Sequence, residues 1–445
     1  MTKQEKKIIG EYLAYIREHD ALCREKGKEM KEAMLRSDLT FNGRRDGSPV
    51  MIPKVYSSET VGRLRQVQET IHGICKKVVR RYLDVPDYRA IFPFDKRLRE
   101  LITIPPGYDV LLPMARYDIF LNEETGDFKF CEFNADGTSG MIVNHTLDRI
   151  YIDNPAHQHV LYRHELRPFE LFESWVRSFL DVYRTWNQAK ESPHVAIVDF
   201  LELGTVNEFK EFARTFQRLG VKCCVCDIRD LRYDGRRLKT PSGFEVDAIY
   251  KRACGDEVMK RIDLIPDFIR CVKDGNVFLC SSFSAQIIHN KWIFGALRHE
   301  QTLDFLTPEE RDFVMRHIPR TEIFATEELK RKVLADKDGY VLKPQDGCGG
   351  KGVYIGCICD QANWERLVEK CFSPKYLAQE YVRPWQMQNF DFCFGDGAIS
   401  EYDNLTGLYS YNGKLAGFHN RLSKAKIIYN SDDEWKLPTY EIVKD

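Results

Sequence analysis

Residues Tyr340 to Gly356 read YVLKPQDGCGGKGVYIG, an apolar strand that ends in a lysine, then a glycine-dense turn, then a second apolar strand, Val353-Tyr354-Ile355. Glycines let backbone N–H groups approach an anion closely, and a lysine supplies a point charge for phosphate. The stretch predicts a loop between two strands, with Lys343 at its root, lying as a lid over a nucleotide triphosphate. Gly347, Gly349 and Gly352 also fit G-x-G-x-x-G, but a dinucleotide fingerprint needs a helix after the glycines, and here a strand follows. A Walker A loop needs Gly-Lys-Ser/Thr, whereas Lys351 precedes Gly352. Protein kinases place their lysine after the glycine loop and carry H-R-D and D-F-G further on, and neither triplet occurs here. On this segment alone, a tight hairpin without a ligand is the alternative.

The chain has 445 residues, room for two or three domains. Its 66 basic and 67 acidic residues balance to a net charge of −1, which gives no nucleic-acid or polybasic membrane signature. A hydrophobic share of 43% with 12% aromatics is that of a globular protein. The opening MTKQEKKIIGEY turns charged at once, unlike a signal peptide, and no apolar run approaches membrane-spanning length. Fourteen scattered cysteines then point to free thiols in a reduced, cytoplasmic setting. In VKCCVCDI, alternation sends Cys224 and Cys226 to one face of a strand and Cys223 to the other, a core pattern without C-x-x-C metal spacing.

The organisation changes along the chain. Residues 1–100 predict a helical N-terminal region, with a break at Pro53 and Ser57-Ser58. Residues 101–190 hold a hairpin within 108–134, turning at Glu124-Thr125-Gly126-Asp127, and a helical stretch at 163–188. Residues 191–285 read as a small Rossmann-like βαβ block, from the strands HVAIVDF (194–200), Val221 to Asp227, FEVDAIYKR (244–252) and NVFLCSS (276–282) with a helix from Asn207 to Leu219. Residues 286–445 follow. Ser284 to Glu300 reads as helical, Thr307-Pro308-Glu309-Glu310 as a capping box, 361–371 as a helix, YLAQEYV (376–382) as a strand, and Asn412-Gly413 as a hairpin turn.

Several polar groups could carry chemistry. Glu132 and Asn134 stand two apart at a strand end and point to one face. Asp118, on the partner strand, adds a third oxygen ligand, a set that suits Mg²⁺ bound jointly with phosphates. Arg116 projects alongside Asp118, where a cation stabilises a transferring phosphoryl group. An exposed polar strand end is the alternative. Glu380-Tyr381-Val382 closes a strand before Pro384, and its backbone could read an adenine edge, or it could be a buried strand end and nothing more. His157 and His159 could bind metal on a strand, or sit in a surface loop. Arg421 and Lys424 make a basic spot, either a solvated face or a carboxylate site.

Together these features resemble the circularly permuted ATP-grasp ligases, a family that includes glutathionylspermidine synthase and eukaryotic-type glutathione synthase. The resemblance spans about 110–430 and is sharpest in ARYDIF, CEFNADGTSG, HNKW and VLKPQDGCGGKGV. It implies an α+β or α/β fold, a permuted ATP-grasp core with an inserted Rossmann-like domain, in which the Arg-x-Asp and Glu-x-Asn strands precede the nucleotide lid. It further implies that Asp118, Glu132 and Asn134 hold Mg²⁺, and that Arg116 serves the transferred phosphate. Lys291 and Lys343 would bind ATP together with Gly347, Gly349, Gly350 and Gly352. Glu380, Tyr381 and Val382 would form the adenine hinge, and Ser139 and Arg421 would contact substrate. The relatives place a glutamate between Lys-Pro and the glycines; here the nearest acid is Asp346, in a loop one residue shorter than in glutathione synthase.

The implied activity is an ATP- and Mg²⁺-dependent ligase that joins a small-molecule carboxylate to an amine through an acyl-phosphate, with no nucleic-acid or membrane partner. A small-molecule kinase on the same scaffold and a non-catalytic nucleotide-binding protein are the rivals. No general base is evident, and the oligomeric state is not read from the sequence.

Overall fold

In a computed structural model of the chain, residues 1–37, 39–41, 44–45, 48–347, 349–426 and 434–444 are described. Helices and several sheets make a mixed α/β architecture. The largest sheet has seven strands. Its path runs through Ser48–Pro49, Glu434–Leu437, Lys414–Ser423, Ile399–Tyr411, Met114–Leu121 and Phe128–Asn134, and Gln386–Phe390 pairs with Ile399–Tyr411. The two longest strands form a hairpin closed by Asn412-Gly413, whose φ values of 49° and 83° are the two left-handed positions that such a turn requires. The outer pair is the expected hairpin, with Asp118 opposite Glu132 and Arg116 opposite Asn134. Ile399–Tyr411 packs against it, placing Gly407 opposite Asp118 and Tyr409 opposite Arg116.

A second sheet is wholly parallel, in the order Phe278–Cys280, Ala248–Lys251, His194–Asp199, Lys222–Asp227. The continuous apolar run of its centre strand follows from burial on both faces. Val195 and Ile197 enter one core, and Ala196 and Val198 enter the other. Cys223 joins the first core and Cys226 the second, as alternation expects, with Cys224 packed beside Cys226. The Val206–Arg218 helix buries Phe209, Phe212, Ala213 and Phe216, an i, i+3, i+4, i+7 stripe. The chain winds from the centre strand to one edge and then returns to its other side. The carboxyl ends of His194–Asp199 and Ala248–Lys251 therefore flank a switch point, where open parallel sheets place their clefts.

A third sheet, antiparallel, has the order Thr321–Ile323, Tyr376–Glu380, Tyr340–Pro344, Tyr354–Ile355. The glycine stretch is thus a hairpin, as expected. Gly347, Gly349, Gly350 and Gly352 all have φ between 65° and 109°, a region that a side chain would strain; Cys348 lies outside the described residues.

Several expectations need correction. The break within 1–100 carries strands: Ser48–Pro49 and Lys54–Ser57 pair in parallel with Glu434–Leu437 and Thr439–Lys444. The helix expected at 163–188 begins as a strand, Glu165–Pro168, and becomes helical at Glu173–Arg184. FEVDAIYKR divides between two sheets, as Glu245–Val246 and Ala248–Lys251. The helix expected over 284–300 is broken. Gln286–His289 ends at Asn290, whose ψ of 131° is extended, and Ile293–Arg298 starts anew. His157 is on neither a strand nor a loop but lies buried on the Pro155–Leu161 helix, its Nδ1 2.6 Å from the Tyr12 hydroxyl. His159 is on the same helix, tilted against the Tyr15 ring.

Lys251 and Asp136 form an ion pair with both side chains fully buried, and the second Asp136 oxygen accepts the Gly255 N–H at 2.7 Å. Removing one partner strands a buried charge, so Asp136→Ala is expected to cost about 3–5 kcal/mol of stability. A denaturant titration beside the parent protein checks this.

Candidate active site

The seven-stranded and the glycine-hairpin sheets face each other across a cleft of about 890 Å³, part of it open to solvent. One wall is Phe120, Phe130, Glu132 and Leu405; the other is Val341, Lys343, Ile355 and Gln379. Glu380, Tyr381 and Val382 line one end, and Lys291, Gly347 and Gly350 the other. The cleft thus brings together eight of the residues singled out in the sequence. Gly349 and Gly352 shape the loop without lining it. The N–H groups of Glu380 and Tyr381 donate to the carbonyls of Arg320 and Gly339, each at 2.8 Å. Of these three N–H groups, that of Val382 has no hydrogen-bond acceptor among the described residues.

Lys291 sits at the helix break described above. Its N–H donates to the Gln345 carbonyl at 2.9 Å, so the break ties it to the root of the glycine loop. Its Nζ donates to the Gly347 carbonyl at 2.7 Å and stands 2.8 Å from Glu132 Oε1. Burial raises the Glu132 carboxyl, but Lys291, then Lys343 and Arg421, outweigh it and hold it at about 2. Lys343 is nearly buried, and that burial pulls its ammonium below the usual lysine range. Asp346 turns away from this cluster: it accepts from Gln286 Nε2 at 2.9 Å, and burial raises its carboxyl.

Asp118 is fully buried and surrounded by donors. Arg116 grips it with Nε at 2.7 Å from Oδ1 and Nη2 at 3.1 Å from Oδ2. Arg421 Nη2 and Asn134 Nδ2 also reach Oδ2, at 3.0 and 3.3 Å. Gly407 makes the fork possible, since a Cβ there would stand 2.7 Å from Arg116 Cδ and 2.8 Å from Asp118 Oδ1. Sequence reading missed Gly407; a glycine inside a long apolar strand is the signal of such a close approach.

Behind this cluster lies a second cavity of about 1010 Å³, part of it open to solvent, at the switch point of the parallel sheet. Arg116, Asn134, Ser139, Gly347 and Lys351 lie along one side of it, and Asp199, Gly204, Arg252, Cys254 and Asp256 along the other. Gly347 and Lys351 line both cavities, so the glycine loop borders both. The Ser139 carbonyl accepts from Arg116 Nη1 at 2.7 Å and from the Tyr409 hydroxyl at 2.9 Å. Arg252 is neutralised by Glu208 at 2.7 Å, whose other oxygen accepts the Gly140 and Ile142 N–H groups at the start of the Met141–Tyr151 helix. Asp199 is nearly buried, and burial pushes its carboxyl up to about 7. Glu208, Arg252 and Asp199 were not legible beforehand, because each gains its meaning from a partner more than forty residues away or from burial alone.

The residues fit a nucleotide and Mg²⁺ in different degrees. Lys291 at one end, Lys343 in the wall, apolar neighbours and, at the other end, a Val382 N–H without an acceptor among the described residues suit a triphosphate and a base. Among the described residues no group of three or more His, Cys, Asp or Glu side chains could hold a metal. Glu132 and Asn134 offer oxygens on one face, and Mg²⁺ usually takes one or two carboxylates plus phosphate oxygens. The donor set therefore fits an ion shared with phosphates and not an all-protein cage. Among the described residues no helix is long and apolar enough to cross a membrane.

No protein-family model matches the chain, and no curated protein matches it by sequence. Solved structures do. A glutathione synthetase-like effector from Globodera pallida superposes with a TM-score of 0.55 at 12% identity, over 95% of this chain and 97% of that one. A candidate gamma-glutamylcysteine synthetase from Methylobacillus flagellatus covers 87% and 89% with a TM-score of 0.42 at 12% identity. A D-cycloserine synthetase covers 56% and 92% with a TM-score of 0.29 at 12% identity. The first likeness shows the fold, that of a glutathione synthetase-like protein; the other two are too slight to carry an argument.

Proposed function

We propose that the chain is an ATP- and Mg²⁺-dependent carboxylate–amine ligase on a circularly permuted ATP-grasp scaffold, the parallel sheet being its inserted domain. One observation carries the reading: a two-lysine cleft and a second cavity, lined by Arg116 and Asn134, meet at the glycine loop, where Gly347 and Lys351 border both, so a phosphate donor and an acceptor would face each other across it. In this reading Mg²⁺, held by Glu132 and Asn134 with Asp118, would neutralise charge on the phosphates. Lys291 and Lys343 hold phosphate oxygens, and Val382 offers its N–H to the base. A substrate carboxylate oxygen attacks the γ-phosphorus, the bond to ADP breaks, and an acyl-phosphate forms beside Arg116. The amine nitrogen then attacks the acyl carbon, the C–O bond breaks, and inorganic phosphate leaves. The glycine loop keeps water from the acyl-phosphate.

Asp199 supplies the proton acceptor that the sequence did not reveal. It lines the cavity in which the amine would stand, with Arg252, Cys254, Asp256 and His289 about it. With its carboxyl near 7, it is mostly protonated below that pH and a competent base above it, so turnover is expected to rise through about pH 7. Asp199→Asn is expected to remove that limb and to lower turnover about a hundredfold; a pH–rate profile of both proteins decides it.

The function itself is tested by screening amino acids, short peptides and polyamines for ADP formation, with mass spectrometry of the products. ADP that forms only when a carboxylate and an amine are both present, with a product mass equal to their sum less water, supports a ligase. ADP with a phosphorylated hydroxyl compound makes it a kinase.

A further inference from the structure

Arg421 and Glu434 are left half-joined. Asp118 Oδ2 has two lone pairs and three donors within 3.3 Å, from Arg116, Arg421 and Asn134. It has no room for a cation, and the Arg421 charge 3.0 Å away would repel one. On the next strand, Glu434 is fully buried, and among the described residues neither of its carboxylate oxygens has a hydrogen-bond partner. Arg421 Nη1 stands 3.7 Å from Glu434 Oε1, just beyond hydrogen-bond reach, and Arg421 Nε is buried without a partner. Lys436 Nζ, at 3.9 Å from Oε2, is also beyond reach. A buried carboxylate without donors is costly, and a buried donor facing it is costly too. A shift of under an ångström would join them.

We propose that Glu434 is a positioning residue that takes Arg421 over from Asp118 when Asp118 is engaged by magnesium and phosphate. The transfer removes one of the three donors crowded on Oδ2 and moves a positive charge away from the incoming ion, while Arg421 keeps a carboxylate partner throughout. This rests on the nucleotide reading above and adds to it a switch, so that metal-free and metal-loaded states differ in which acid holds Arg421.

The test is calorimetric binding of a non-hydrolysable ATP analogue, with Mg²⁺ and with EDTA. Glu434→Gln is expected to weaken Mg²⁺-dependent binding about tenfold, the value of a lost charged hydrogen bond, and to leave binding in EDTA unchanged. Arg421→Met, which leaves nothing to transfer, is expected to lower the half-saturating Mg²⁺ concentration several-fold and to make a further Glu434→Gln change silent. Glu434→Asp, which keeps the carboxylate, is expected to restore most of the Mg²⁺ effect. An unchanged Mg²⁺ requirement in Glu434→Gln, or an equal loss in the Arg421→Met background, overturns the switch while the nucleotide reading stands. If Glu434→Gln does not fold, a raised Mg²⁺ requirement in Arg421→Met alone overturns it. Absence of analogue binding by the parent protein overturns both.

Discussion

Lys343→Met is expected to weaken binding of an ATP analogue about a hundredfold while leaving the protein at least as stable as its parent. The lysine is nearly buried at the root of the glycine hairpin and lines the cleft beside Glu132. A charged hydrogen bond to phosphate is worth about 1.5–3 kcal/mol, more where water is excluded. The same burial penalises its charge in the unliganded protein, which is why its ammonium is pulled below the usual range. Methionine keeps the aliphatic stem and removes the desolvation cost. The sign follows from proton counting. With the folded value lowered, the unfolded chain binds more protons between the two values, so in the parent Lys343 costs stability that returns as pH rises toward the unfolded lysine value. The melting temperature of Lys343→Met is therefore expected to equal or exceed that of the parent at neutral pH. Loss of binding together with loss of fold would mark Lys343 as structural.

Arg116→Lys is expected to lower turnover by about 10²–10³-fold with little change in analogue affinity, once a turned-over substrate pair is known. Arg116 makes three directed bonds: two to Asp118 and one to the Ser139 carbonyl, on the border of the second cavity. Lysine keeps the charge but cannot reproduce a planar fork. Under the proposed function the loss should fall on kcat, because Arg116 lines the second cavity and not the nucleotide cleft. A change confined to the KM for nucleotide would move Arg116 out of the transfer step.

Much of this architecture was legible because it is local. HVAIVD announces a buried strand by its unbroken apolar run, Asn412-Gly413 announces a hairpin by its backbone demands, and YVLKPQDGCGGKGVYIG carries strand, lysine and glycines in one window. The Glu132-x-Asn134 pair and Arg116-x-Asp118 were legible through the two-residue period of strands, which correctly set them on one face. What was hidden is non-local. Asp118 meets Arg421 across 303 residues, and no periodicity in either segment signals the meeting. Ser48–Pro49 and Lys54–Ser57 are too short to show a period, and they are strands because C-terminal strands recruit them. His157 looked like a loop residue because the Tyr12 and Tyr440 side chains that enclose it come from opposite ends of the chain. The Asn290 break was hidden inside a helical pattern, since the carbonyl of Gln345 that receives the Lys291 N–H lies on the glycine hairpin.

The account stands or falls on where the carboxylate oxygen goes. The direct measurement is turnover of an ¹⁸O-carboxylate substrate with its amine, followed by mass analysis of the released phosphate. One ¹⁸O atom in each phosphate, with one amide formed for each ADP, is the expected result. Phosphate free of ¹⁸O, or ADP formed with the carboxylate unchanged, would contradict an acyl-phosphate ligase.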